Sequence, residues 1–269
     1  MNKAGLYFQK QWDGDVPNLL NTGIRHWRQK TVRAGSKQIF HFYPARADYS
    51  QTRSIRNQIS RECQVNWNEK TRKESCRLLF YNNFHDGDFF VTLTFRNAPA
   101  DMAAVMNRKH YFIKKLNMLS GGIVKYLGCI ETRNSSSDEV RPHLHLVISG
   151  ATAEDIRKAW IYGNINCARI GESHFDRIIE YMTKTFQFID NGNHRYIRSR
   201  NLIPPDIEIQ KFDIRDYDDA TATAEISADP TKYCAESFPD YEITDAAEYF
   251  QSDFLRGFYI RIEMRKKPG

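Results

Sequence analysis

Between Phe89 and Arg200 the apolar residues repeatedly change period, from two to about 3.6 and back, which limits this stretch to folds in which helices pack on a sheet. Phe89-Phe90-Val91-Thr92-Leu93-Thr94-Phe95 is dense in aromatic and β-branched side chains and reads as a strand. Pro99 and Asp101 open a helix that runs to about Leu119, with Val105, Phe112, Ile113 and Leu116 on one face, and Gly121-Gly122 ends it. Ile123 to Glu131 is a second strand and Arg141 to Ser149 a third. The short polar link from Asn134 to Glu139 predicts that these two form an antiparallel hairpin. Thr152, with Asp155 three residues on, caps a short helix ending near Trp160. Asn164 to Ile170 is a fourth strand. Ser173 is expected to cap a helix from His174 to Phe188, whose buried stripe is Phe175, Ile178, Ile179, Met182 and Phe186. After the Asn191-Gly192 turn, His194 to Arg200 is a fifth strand with Arg195, Arg198 and Arg200 exposed, and Pro204-Pro205 closes the unit.

This order predicts an α+β domain over residues 87–203. Its antiparallel sheet has about five strands, with helices packed mainly on one face in a ferredoxin-like or RRM-like arrangement. Residues 1–86 read as a basic N-terminal extension, packed on the core or binding nucleic acid beside it, and 204–269 as an acidic C-terminal segment. Charge sets these flanks apart. Residues 204–253 carry 14 Asp and Glu against Lys211, Arg215 and Lys232, so the rest of the chain holds a net +17 of an overall +6. A chain basic over most of its length suits a polyanionic partner, although a solvated surface explains the same balance. Residues 20–75 interleave twelve Lys and Arg with Trp27, Phe40, Phe42, Tyr43, Tyr49 and Trp67. Cations and flat rings suit single-stranded nucleic acid, and they equally suit a peripheral layer whose rings are packed inside. Arg53 to Phe80 has helical spacing. The acidic segment either covers the basic surface or is ordinary solvated chain.

Several classes are excluded. No stretch approaches the roughly 18 apolar residues that span a bilayer, and Met1 to Lys10 lacks the order of a signal peptide, so the reading is a cytoplasmic protein with no membrane partner. The five cysteines, at 63, 76, 129, 167 and 234, form no CxxC pair and no zinc module. No GxxxxGK[ST] occurs, so the sequence has no P-loop motor.

The chemistry concentrates in Arg141-Pro142-His143-Leu144-His145-Leu146-Val147. Residues two apart on a strand face the same way, so His143 and His145 aim two imidazoles at one region. A shared cation holds such a pair neutral and close. Glu131 ends the preceding strand across the hairpin and would complete a site of two histidines and one carboxylate. Taken singly it is also an ordinary strand-end acid. Cys129 shares that face and is read as core packing. On the next long helix Tyr181 and Lys184 stand at i and i+3, so phenol and ammonium are neighbours, and a nearby cation lowers a phenol's pKa and helps it attack as phenolate. An amphipathic rim gives the same pattern. Arg141, Arg195, Arg198 and Arg200 are the candidate contacts to a nucleic-acid backbone.

Val91-Thr92-Leu93-Thr94-Phe95 on a strand, His143-Leu144-His145 on a strand and Tyr181-x-x-Lys184 on a helix together resemble the rolling-circle replication initiators, the HUH endonucleases, in the flavour of small single-tyrosine replication proteins of phages and plasmids. The resemblance covers about residues 88–203. It implies that His143 and His145 bind a divalent metal, Mg²⁺ or Mn²⁺, with Glu131 as third ligand, that Tyr181 is the nucleophile and Lys184 its partner, and that Thr92 and Thr94 are structural. Position 185 is Thr, so the two-tyrosine mechanism of some phage members is not expected. The resemblance further implies a metal-dependent DNA endonuclease and strand transferase. Such an enzyme nicks and rejoins single-stranded origin or hairpin DNA through a 5′-phosphotyrosine, and uses a host helicase and DNA polymerase. A transposase or mobilisation relaxase is the alternative of similar chemistry. A non-catalytic nucleic-acid-binding module on a ferredoxin-like sheet is the alternative of another class.

Overall fold

The computed structural model describes residues 9–11, 18–45, 61–133, 139–184, 196–252 and 257–268. Two compact units emerge: residues 73–204, and residues 1–72 together with 205–269.

In the first of these, the strands are β4 (Phe89–Thr94), β5 (Lys125–Arg133), β6 (Glu139–Ser149), β7 (Ile165–Arg169) and the short β8 (Ile197–Arg198). They form one sheet in the order β7-β4-β6-β5-β8, with every neighbouring pair antiparallel. The helices are α1 (Arg61–Asn83, of which 73–83 belong to this unit), α2 (Met102–Ser120), α3 (Ala153–Ala159) and α4 (Phe175–Lys184). With β4-α2-β5-β6-α3-β7 and the two middle strands β4 and β6 side by side, this is an α+β sheet of ferredoxin-like arrangement.

Local chemistry explains the boundaries. Asp101 caps α2 by accepting from the Ala104 N–H, and Gly121, at φ 70°, ends it in the left-handed region. Thr152 and Asp155 form the expected capping box of α3. Ser173, expected to cap the next helix, instead lies within a 3₁₀ turn (Glu172–His174) that runs directly into α4. The fifth strand is also shorter than expected, two residues beside β5. The Asn134 loop, the Asn191-Gly192 turn and the stretch from Thr185 to Phe188 lie outside the described residues.

Alternation along the strands sends one set of side chains into a core. Val91, Leu93, Leu144, Leu146 and Ile148 pack with Val105, Phe112 and Leu116 of α2 and with Ile156 and Ala159 of α3, all below a tenth exposed. Helix α4 lies against the opposite face, where its Tyr181 ring meets those of Phe90 and His145.

The other unit holds the larger sheet. Its strands are β1 (Gln9–Gln11), β2 (His26–Ala34), β3 (Lys37–Pro44), β9 (Asp206–Asp213), β10 (Tyr241–Ile243), β11 (Glu248–Ser252) and β12 (Gly257–Lys266), with α5 (Tyr217–Ala228) and α6 (Pro230–Ser237). The two flanks expected as separate segments share this sheet: β2 pairs with β9, and β3 with β12. Trp27, Phe40 and Phe42 are fully buried in its core with Phe212, Ile260 and Ile262. These three rings of the basic segment are therefore packing anchors and are not free to stack on bases. Tyr43 is only half-buried, and Tyr49 and the Trp67 side chain lie outside the described residues. Among the described residues no helix is long and apolar enough to cross a membrane.

Candidate active site

The face of the five-stranded sheet opposite α2 and α3 carries the candidate chemistry. Antiparallel register sets Thr94, His143 and Glu131 in one cross-strand row and Thr92, His145 and Cys129 in the next. His143 and His145 share the face, as their spacing predicts, with ring centroids 6.3 Å apart. Glu131 falls directly across from His143, and a register shift immediately after it lets β5 bend away. Gly128 permits the close approach of the two strands here, because a Cβ at that position would overlap the His145 carbonyl oxygen.

His145 is the best-held group. It is 4% exposed. Its Nε2 lies 2.9 Å from Glu131 Oε2 and its Nδ1 lies 3.2 Å from Thr92 Oγ1. Phe90 stacks along the ring at 6.2 Å with a 15° interplanar angle. Burial lowers the His145 pKa, and the Glu131 carboxylate opposes that shift. The lowered pKa favours the neutral imidazole, which keeps a lone pair on one nitrogen.

Tyr181 arrives from α4. Phe175, Ile178, Ile179 and Met182 of that helix are buried, and Tyr181 is 42% exposed at the border. The first turn of α4 is tied down by Asp176, which accepts from Tyr81 Oη at 2.7 Å and faces Arg77 Nε at 3.5 Å, while Phe175 packs edge-on to Phe80 and Tyr81. The Tyr181 hydroxyl consequently reaches Glu131 Oε2 at 3.3 Å and His145 Nε2 at 3.2 Å. Burial and then Glu131 push its pKa up to about 12. That direction is opposite to the one expected of Lys184, the last residue of α4, whose side chain lies outside the described residues.

The donor set suits a hard or borderline divalent ion: two imidazoles and a carboxylate, oxygen and nitrogen with no thiolate required. Two neighbouring ligands about 2.1 Å from an octahedral ion stand roughly 3 Å apart, which is the Nε2–Oε2 separation of 2.9 Å. The third ligand is not gathered in: among the described residues no group of three or more His, Cys, Asp or Glu comes together closely enough to hold an ion. Glu131 and His145 thus converge, and His143 stands beside them on the same face.

The four arginines separate. Arg198 pairs with Leu127 and so points to the face that carries Glu131 and His145. Arg200 lies two residues past the end of β8, and its charge partly opposes the rise that burial gives the Tyr126 phenol pKa. Arg141 is exposed but commits one guanidinium nitrogen to the carbonyls of Phe95 and Arg96, at 3.1 and 3.3 Å. Arg195 lies outside the described residues. Sequence reasoning treated Thr92 and Thr94 alike as structural and did not single out Phe90. The alternation of Val91, Leu93 and Phe95 along the strand was the available signal that Phe90, Thr92 and Thr94 share the other face.

No curated protein and no solved structure matches the chain. One family model does, that of the ORF2-type replication-associated proteins, over residues 88–186, a span that contains β4, Glu131, both histidines, Tyr181 and Lys184. Residues 88–186 therefore form a Rep-like domain of the HUH superfamily, set within a longer chain.

Proposed function

We propose that this domain cuts and rejoins single-stranded DNA with Tyr181 as nucleophile, as a replication initiator does. The observation that carries the reading is the Tyr181 hydroxyl standing within 3.3 Å of both His145 Nε2 and Glu131 Oε2. A phenol able to act as nucleophile once deprotonated, a carboxylate and an imidazole brought to one point on a sheet face are the parts that phosphoryl transfer needs. A non-catalytic binding module requires no such convergence.

Glu131, His145 and His143 would hold the divalent ion, Mg²⁺ or Mn²⁺, which when bound supplies positive charge at the scissile phosphate. The side chains do the rest. Helix α4 presents the phenol at the edge of the site, exposed enough to meet a strand from solvent. The phenol gives up its proton, for which the Glu131 carboxylate, 3.3 Å away, is an acceptor within reach. The phenolic oxygen bonds to phosphorus as the bond from phosphorus to the 3′ oxygen breaks, and the departing 3′ oxygen takes up a proton in exchange for the one the phenol lost, leaving a 5′-phosphotyrosine on the protein and a free 3′-hydroxyl on the DNA. Because the phosphodiester is exchanged rather than hydrolysed, a returning 3′-hydroxyl can reverse the step and reseal the strand. That hydroxyl also serves as a primer, so host polymerase and helicase are the proposed partners. The replication-associated description of the matched family favours an initiator over a transposase or relaxase.

The test is covalent capture. Incubation with a labelled random-sequence single-stranded DNA library and Mn²⁺ should give an adduct that survives denaturing gels, disappears with EDTA and returns with added Mn²⁺ or Mg²⁺. Tyr181→Phe should give none. An adduct of undiminished yield in Tyr181→Phe overturns the assignment.

A further inference from the structure

His145 has a partner at each ring nitrogen, and only one of them belongs to the chemistry proposed above. Nε2 faces Glu131 and Tyr181, at 2.9 and 3.2 Å. Nδ1 faces Thr92 Oγ1 at 3.2 Å, from the neighbouring strand. Thr92 is fixed there by register: it is the Cα partner of His145 in the β4–β6 pairing. Its β-branched side chain has few rotamers, so the hydroxyl direction is set by the strand. Phe90, two residues before it on the same face, stacks on the imidazole and meets Tyr181 edge-on at 6.2 Å.

An imidazole that is 4% exposed cannot rely on water to satisfy either nitrogen. Carbonyl and carboxylate partners can only accept, and would support a single tautomer. A threonine hydroxyl both donates and accepts. We infer that Thr92 is a positioning residue for His145, whose hydroxyl follows the histidine tautomer and holds the ring in one orientation. When Nε2–H is turned to Glu131, the hydroxyl donates to the Nδ1 lone pair. When the Nε2 lone pair is in use as a ligand, Nδ1–H donates to the hydroxyl oxygen. In both cases the ring plane stays against Phe90 and Nε2 stays aimed at the point where Glu131 and Tyr181 meet. The inference rests on the proposed function for the use of Nε2 as a ligand, and on geometry alone for the bond at Nδ1.

Thr92→Val removes the hydroxyl while keeping shape and strand preference, and Thr92→Ser keeps the hydroxyl. Mn²⁺ binding, read by the paramagnetic resonance signal of the free ion, should weaken roughly tenfold or more in Thr92→Val and stay within about threefold of wild type in Thr92→Ser. In nitrogen NMR of the metal-free protein, the His145 Nδ1 resonance should move in Thr92→Val, which loses the hydrogen bond at that nitrogen, and stay at its wild-type position in Thr92→Ser. A Thr92→Val protein with wild-type Mn²⁺ affinity and wild-type ring-nitrogen shifts overturns the inference, as does a Thr92→Ser protein as impaired as Thr92→Val. If wild type takes up no Mn²⁺ and forms no adduct, the proposed function falls instead, and a Thr92-dependent shift in the metal-free protein still upholds the positioning role.

Discussion

The two faces of the five-stranded sheet are made by alternate residues of the same strands, and they solve different problems. Toward α2 and α3, β6 presents Leu144, Leu146 and Ile148, fully buried against other apolar side chains. Such residues need only close packing, and each is worth a few kcal/mol through the area it removes from water. Toward α4 the same strand presents His143 and His145. A buried imidazole gains little from packing and must have each nitrogen satisfied, so its neighbours are a threonine, a carboxylate and a phenol. The first face is apolar throughout. The second is also packed, with Leu127, Cys129 and Val147 fully buried, but at His143 and His145 it becomes an arrangement of polar groups whose value is geometric.

The sharpest way to break this contrast is to cut neighbouring residues of β6. His145→Ala should abolish adduct formation and leave melting and single-stranded DNA binding close to wild type, since binding draws on basic residues elsewhere. Leu144→Ala, one position away, should lower stability by about 2–5 kcal/mol, the usual range for emptying a buried leucine site. Denaturant titration and adduct yield on both variants test it. A His145→Ala protein that unfolds as readily as Leu144→Ala would merge the two faces into one structural role.

Gly128→Ala probes where the faces meet. The added methyl would press on the His145 carbonyl and the Leu146 side chain, forcing β5 away from β6. A loss of roughly 1–3 kcal/mol is expected from the overpacking, together with a fall in adduct yield as Glu131 moves off His145. Retained stability with full adduct yield would mean that the strands absorb the methyl freely.

The smallest effect separates two arginines. Arg198 is on the site face, and Arg200 lies two residues past the end of β8. If the strand tracks the site face, Arg198→Ala should flatten the salt dependence of single-stranded DNA binding by about 0.7, the slope that one neutralised phosphate contributes. Arg200→Ala should change it less. Equal slopes for the two variants would show that the bound strand does not single out Arg198.

How much of this was legible in advance differs between the two units. The order of elements in residues 87–203 followed from local signals, because a period of two or 3.6, an Asp or Thr cap and a Gly stop act within a few residues of where they stand. The large sheet of the other unit escaped. Its hairpin signal was present in Gly35-Ser36 between β2 and β3, with Gly35 at φ 58°. But β2 also pairs with β9 and β3 with β12, strands more than 170 residues further on, and no local pattern records such a pairing. The same limit explains the aromatics of the basic segment: composition cannot distinguish a ring that stacks on a base from Trp27, Phe40 and Phe42, which stack on each other in a core.

By itself the sequence determined that His143 and His145 face one way, that Tyr181 stands on a helix, and that Glu131 lies on the strand across the hairpin, although that strand runs two residues past it to Arg133; each follows from the geometry of a single element or turn. Only the tertiary structure decided which groups meet. The register of β4 against β6 put Thr92 behind His145. The anchoring of α4 through Asp176 brought the Tyr181 phenol to Glu131, whose charge, added to burial, drives the phenol pKa up to about 12 where the sequence alone pointed downward. A pKa depends on every charge and every displaced water around a group, and those are set by segments far apart in the chain.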